Sequence, residues 1–136
     1  ALPYYELHPV GLEQRRAVTL IRAAGRAAWL EQAVDLAPGA ALAHLRTVPG
    51  VGAWTAAEVA RTALGDPDAV SIGDFHIPDL VCWALAGEPR GDDARMLELL
   101  EPYRGQRARI VRVLERSAMR PPRYGPRFKG GDIRRL

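Results

Sequence analysis

An all-α fold follows from three observations in this sequence. Apolar residues recur three and four positions apart over most of its length. No apolar–polar alternation persists long enough to make a strand, and Gly and Pro cut the periodic stretches into short pieces. Together they predict a helical bundle over residues 1–120, followed by a basic irregular tail over 121–136. A chain of 136 residues, 48% hydrophobic and 26% charged, has the size and balance of one globular domain.

The elements follow in order. Tyr4 to Pro9 reads as irregular, and from Leu12 the apolar positions Leu12, Val18, Ile21 and Ala24 keep helical spacing, with Arg15, Arg16 and Arg22 between them. Gly25 bends or ends this helix, Ala27 to Leu36 resumes it, and Pro38-Gly39 stops it. A short helix, Ala40 to Arg46, leads through Thr47-Val48-Pro49-Gly50-Val51-Gly52 into a longer one from Ala53 to Leu64. After the Gly65–Asp68 loop, Ala69 to Ile72 is a brief extended apolar piece ending at Gly73-Asp74. Further helices are expected over Ile77–Leu85, from an Asp92 or Asp93 cap to Leu100, and from Pro102 to Ala118.

Composition removes several classes of function. Cys82 is the single cysteine, so an internal disulfide and an iron–sulfur cluster held by several thiolates are both excluded. Its neighbours Leu80, Val81 and Trp83 mark it as a buried small hydrophobe, and a reducing cytoplasm is the expected compartment. No apolar run approaches the roughly 18–20 residues of a membrane span. His8 and His44 are scattered and support no metal cluster.

Charge is unevenly spread. Residues 104–136 hold ten Arg and one Lys against Glu115 and Asp132, a balance of +9, while the rest carries eight Arg against fourteen acids, a balance of −6. A polyanion partner and a merely solvated basic surface both fit that pattern. Among these arginines Arg104, Arg107 and Arg109 are candidate phosphate contacts.

The segment Leu45-Arg46-Thr47-Val48-Pro49-Gly50-Val51-Gly52-Ala53-Trp54-Thr55-Ala56 carries more information. Two glycines between helices allow backbone angles and close approaches that side chains forbid, and a helix start beyond them presents N–H donors suited to a phosphate oxygen. This segment, at about residues 40–65, closely resembles the helix-hairpin-helix motif of the DNA glycosylase superfamily. Val70-Ser71-Ile72-Gly73-Asp74-Phe75-His76, with Asp74 twenty positions after Trp54, is similar to that family's catalytic segment. Gly11-Leu12 with Arg16-Ala17, and Glu101-Pro102-Tyr103-Arg104, extend the resemblance to the 3-methyladenine branch over about residues 10–118.

The resemblance implies a base-excision repair enzyme that hydrolyses the N-glycosidic bond of damaged, alkylated bases in double-stranded DNA. Asp74 would be its catalytic carboxylate, since bond cleavage develops positive charge on the sugar that an anion stabilises; the bland reading of Asp74 is a helix cap. Lyase-active relatives use a lysine just after the hairpin, where this chain has Trp54, and its only lysine is Lys129. A monofunctional enzyme without strand cleavage is therefore expected.

The resemblance further implies base-pocket positions for Trp54, Glu58 and Arg112, although Glu58 and Arg112 replace the aromatics it leads one to expect. Trp54 could equally be a core tryptophan, and Glu58 either meets a base edge or faces solvent. Pro49, Gly50, Val51, Gly52, Thr55, His76 and Arg104 are implied contacts to the DNA backbone, with a surface histidine the alternative for His76. The carbonyls of Arg46, Val48 and Val51 would hold a Na+ or K+ ion, and no other cofactor is required. Crowding of Ser71, Asp74 and His76 on one short segment argues against a hydrolase triad.

The chain opens Ala-Leu-Pro without Met, and the family carries several helices before this point. The expectation is a trimmed monomer that needs a preceding segment for activity. A non-catalytic DNA-binding module, or an inactive half of a glycosylase, is the alternative.

Overall fold

The structure, a computed structural model, describes residues 2–122 and contains no strand among them. All-α is therefore correct. The described chain forms two compact units that meet in sequence between Gly52 and Ala53. Most of the expected tail lies outside the described residues.

The first unit opens with a correction, because Tyr4–Val10 is a 3-10 helix rather than irregular chain, closed by Gly11 in the left-handed conformation. Helix α1 runs Gln14–Ala24, and Gly25 ends it rather than bending it. Helix α2, Ala27–Glu31, passes directly into a 3-10 turn at Gln32–Asp35. Pro38 does not merely stop this stretch. It opens α3, Pro38–Leu45, in the first turn, where its fixed φ suits a helix and its missing N–H costs nothing. Trp29 stacks on His44 with ring centroids 4.5 Å apart and donates its Nε1–H to Thr47 Oγ1, tying α2 to the end of α3.

The turn after α3 is set by its sequence. The Val51 N–H donates to the Val48 carbonyl at 3.0 Å, with Pro49 and Gly50 between them and Gly50 at a φ of 99°. Pro then Gly in those central places is the signature of a type II turn. Val48 is fully buried, and the turn lies against α1: a Cβ added at Gly50 would sit 2.2 Å from Thr19 Oγ1. Gly50→Ala combines left-handed strain with this clash and should destabilise the chain by about 2 kcal/mol in denaturant unfolding. Adding Thr19→Ala should recover only the steric part.

The second unit contains α4 (Ala53–Ala63), α5 (Ile77–Ala86), α6 (Asp93–Leu100) and α7 (Arg107–Arg116). Ile77, Leu80, Val81, Met96, Leu100, Val111 and Leu114 form the shared core of α5, α6 and α7. Met96 and Leu100 are wholly buried, each contributing about 1.5–3 kcal/mol by removal from water. Cys82 is buried as expected, under Gly91, whose missing side chain makes room for the sulfur. Asp92 caps α6 by accepting the Arg95 N–H.

Pro102 does not open the last helix. It sits in a 3-10 turn, Glu101–Tyr103, and α7 begins at Arg107, where Asp68 from a distant loop supplies the cap.

Candidate active-site carboxylate

Asp74 lies in the loop between α4 and α5, and two local features fix its position. Gly73 has a φ of 83°, which a glycine adopts without strain, and its N–H donates to the Asp93 carboxylate at 3.0 Å, anchoring the loop to the start of α6. Ser71, 2% exposed, donates its hydroxyl to Glu58 on α4. Ile72 and Phe75, on either side of it, are exposed at 41% and 85%, whereas Ala69 and Val70 earlier in the loop face inward.

The two oxygens of Asp74 have different tasks. Oδ1 accepts the backbone N–H groups of His76 (2.7 Å) and Ile77 (2.9 Å), which starts α5. Oδ2 accepts the indole N–H of Trp54 at 2.8 Å, across from the first turn of α4. Burial pushes this carboxyl up, but the two amides and the indole together outweigh it and leave it below the usual aspartate range. Asp74 is therefore an anion at neutral pH, half-buried and held from both sides.

Trp54 is 44% exposed, so it is no core tryptophan. One edge of its ring is committed to Asp74 while much of its surface faces solvent. Trp54→Phe keeps an aromatic there and removes the donor to Oδ2. The Asp74 carboxyl should then titrate at a higher pH, which carboxyl-detected NMR measures directly.

No family model, curated protein or solved structure matches the chain.

The other expected site residues divide into two groups. Glu58, read as meeting a base edge or solvent, is half-buried, with Oε1 on Ser71 and Oε2 on Arg61 at 2.6 Å. Arg61 also reaches Glu115 on α7, so Glu58 belongs to a chain of ion pairs binding α4 to α7. Arg107, read as a phosphate contact, points instead at Asp68. Arg104 is exposed but pairs with Glu101 at 2.6 Å, and Arg109 donates to Gln106. Arg112 and His76 are exposed, and Thr55 is half-buried.

In the turn at residues 48–51, the Val51 N–H is engaged by the Val48 carbonyl. Gly50 and Gly52 remain the backbone donors to consider there. The expected ion ligands Arg46, Val48 and Val51 offer hard carbonyl oxygens, chemically suited to an alkali cation. The Val48 oxygen keeps one lone pair after closing the turn. Among the described residues no group of three or more His, Cys, Asp and Glu side chains forms a metal site. No helix among them is long and apolar enough to cross a membrane.

Sequence reasoning named Asp93 only as an alternative cap and Asp68 only as part of a loop. Both hold backbone N–H groups far away in the chain, and nothing in their local sequence signals those bonds.

Proposed function

We propose that this protein is a monofunctional DNA glycosylase that hydrolyses the N-glycosidic bond of damaged, alkylated bases, with Asp74 as the catalytic anion. The observation that carries the reading is the pair formed by Asp74 and Trp54. It combines a carboxylate kept ionised by three hydrogen bonds with a solvent-facing aromatic ring beside it.

The pair suits the chemistry. As the glycosidic bond breaks, the sugar becomes oxocarbenium-like, and a fixed anion stabilises it without reorganising. A carboxylate that stays deprotonated can also orient the attacking water, while an exposed indole face suits a base extruded from the stack. Trp54 occupies the place where a lysine nucleophile would be needed for strand cleavage. A Na+ or K+ ion at the Arg46, Val48 and Val51 carbonyls would add positive charge toward a DNA phosphate and take no part in bond cleavage. The cytoplasm is the proposed compartment, and the protein acts as a monomer on double-stranded DNA.

One observation favours a second reading, that of a DNA-binding module without activity or an incomplete enzyme. Asp74 Oδ1 accepts two N–H groups at the start of α5, a structural task that explains an aspartate there without catalysis.

The deciding experiment is single-turnover base release from duplexes carrying alkylated purines, with alkali revealing abasic sites. Base release with strands intact before alkali supports the enzyme. Binding without release supports the module, and recovery of release on adding a preceding helical segment identifies an incomplete enzyme.

A further inference from the structure

A groove in the first unit sets a row of arginines not considered above beside the turn at Gly50. It is open, with a volume of about 750 Å³, and runs along α1 beside the turn at Gly50. Arg15, Thr19 and Arg22 line it from α1, and Gly50 lines it from the turn. Arg22 continues into a second depression, where it meets Arg26 and Pro49.

The row is a consequence of helix geometry. Positions 15, 19 and 22 lie on one face of α1, and at 1.5 Å per residue Arg15 and Arg22 stand about 10 Å apart along the axis. Arg26 follows just past the helix end. All three arginines are exposed, and none is paired with a carboxylate among the described residues. Elsewhere among the described residues Arg16, Arg61, Arg90, Arg95, Arg104 and Arg107 each hold an acid. The one acid at the groove, Glu13, is engaged by Arg16 at 3.4 Å. Three guanidinium groups in a row without a carboxylate partner form a track for a polyanion.

We propose that Arg15, Arg22 and Arg26 bind the sugar–phosphate backbone of duplex DNA along this groove. Duplex DNA carries one negative charge per about 1.7 Å of axis, so a row of this length meets phosphates along its whole extent. Guanidinium groups also match phosphate oxygens in a bidentate manner. The choice of DNA rests on the glycosylase reading, whereas the row of unpaired charge does not.

The test is the affinity of the full chain for an undamaged duplex across a salt series. Each phosphate contact removed lowers the slope of log K against log salt by about 0.9. Arg15→Gln, Arg22→Gln and Arg26→Gln combined should therefore flatten it by roughly two to three. The corresponding Lys triple should keep the wild-type slope, and Val18→Glu, which places a carboxylate in the groove, should weaken binding at low salt. Thermal melting of each variant confirms folding. A Gln triple with the wild-type slope and affinity, or a Lys triple that loses the slope equally, overturns the proposal. Base release plays no part in this measurement. A chain that releases no base yet loses its salt slope in the Gln triple sinks the enzyme reading alone, and the reverse result sinks the groove alone.

Discussion

Asp74→Asn should lower single-turnover base release by about 10²–10³-fold, the usual effect of removing one preorganised electrostatic contact from a transition state. The substitution is chosen because Asn is as good a helix cap as Asp, so the two roles of Asp74 separate. The Asn carbonyl can accept the His76 and Ile77 N–H groups, but its amide then faces the Trp54 N–H, donor against donor. Folding should therefore weaken by about 1 kcal/mol, far too little to abolish activity in a folded sample. If wild type releases base and the variant does so within a few-fold, Asp74 only caps α5.

The pH dependence gives an independent check. Because the Asp74 carboxyl lies below its usual value, the anion persists from neutrality down past about pH 4, near which an unperturbed aspartate titrates. The acid limb of base release should thus fall below that point, and Trp54→Phe should move it upward. An acid limb unchanged by Trp54→Phe would separate the titrating group from the indole pair.

The helices were largely legible because their signals are local. Apolar spacing located α1, α4, α5 and α6 to within a few residues, and Asp92 reads as a cap from its position alone. Proline misled twice. At Pro38 and Pro102 a helix start, a 3-10 turn and a stop share the same local chemistry, and which occurs depends on what caps the neighbouring N–H groups. For α7 that cap is Asp68, which lies 39 residues before Arg107.

The site shows the same division. That Asp74 starts α5 could be read from a Gly-Asp pair before an apolar run, but the Trp54 bond across α4 could not. Glu58 illustrates the converse. The resemblance implied a pocket position for it, and only the fold reveals Ser71 and Arg61 engaging its oxygens. Long side chains such as Arg107 are the least legible, since one charge serves a phosphate or an internal aspartate equally well until the partner is located.

Asp68→Ala should cost the second unit about 3–4 kcal/mol, the largest stability loss expected from any single polar substitution here. Asp68 Oδ1 accepts the N–H groups of Gly105 and Arg107 and the Arg107 Nε–H, and Oδ2 meets the Arg107 Nη2. Its removal deletes the cap of α7, worth about 0.5–2 kcal/mol, and strands a guanidinium whose side chain is only 22% exposed. Breaking a buried pair from one side costs about 3–5 kcal/mol, and the remaining solvent access at this pair reduces that figure. The Arg107 bond holds the Asp68 carboxyl below its usual range, against the opposing effect of burial. A carboxyl lowered on folding contributes stability that is complete above its unfolded value, about 3.9, and is lost as pH falls through the folded value. The gap between wild type and Asp68→Ala in urea unfolding should therefore be full at pH 7 and shrink only below about pH 4. A gap that is small at pH 7, or that does not change in acid, would mean that α7 is held by Val111 and Leu114 in the core rather than by its cap.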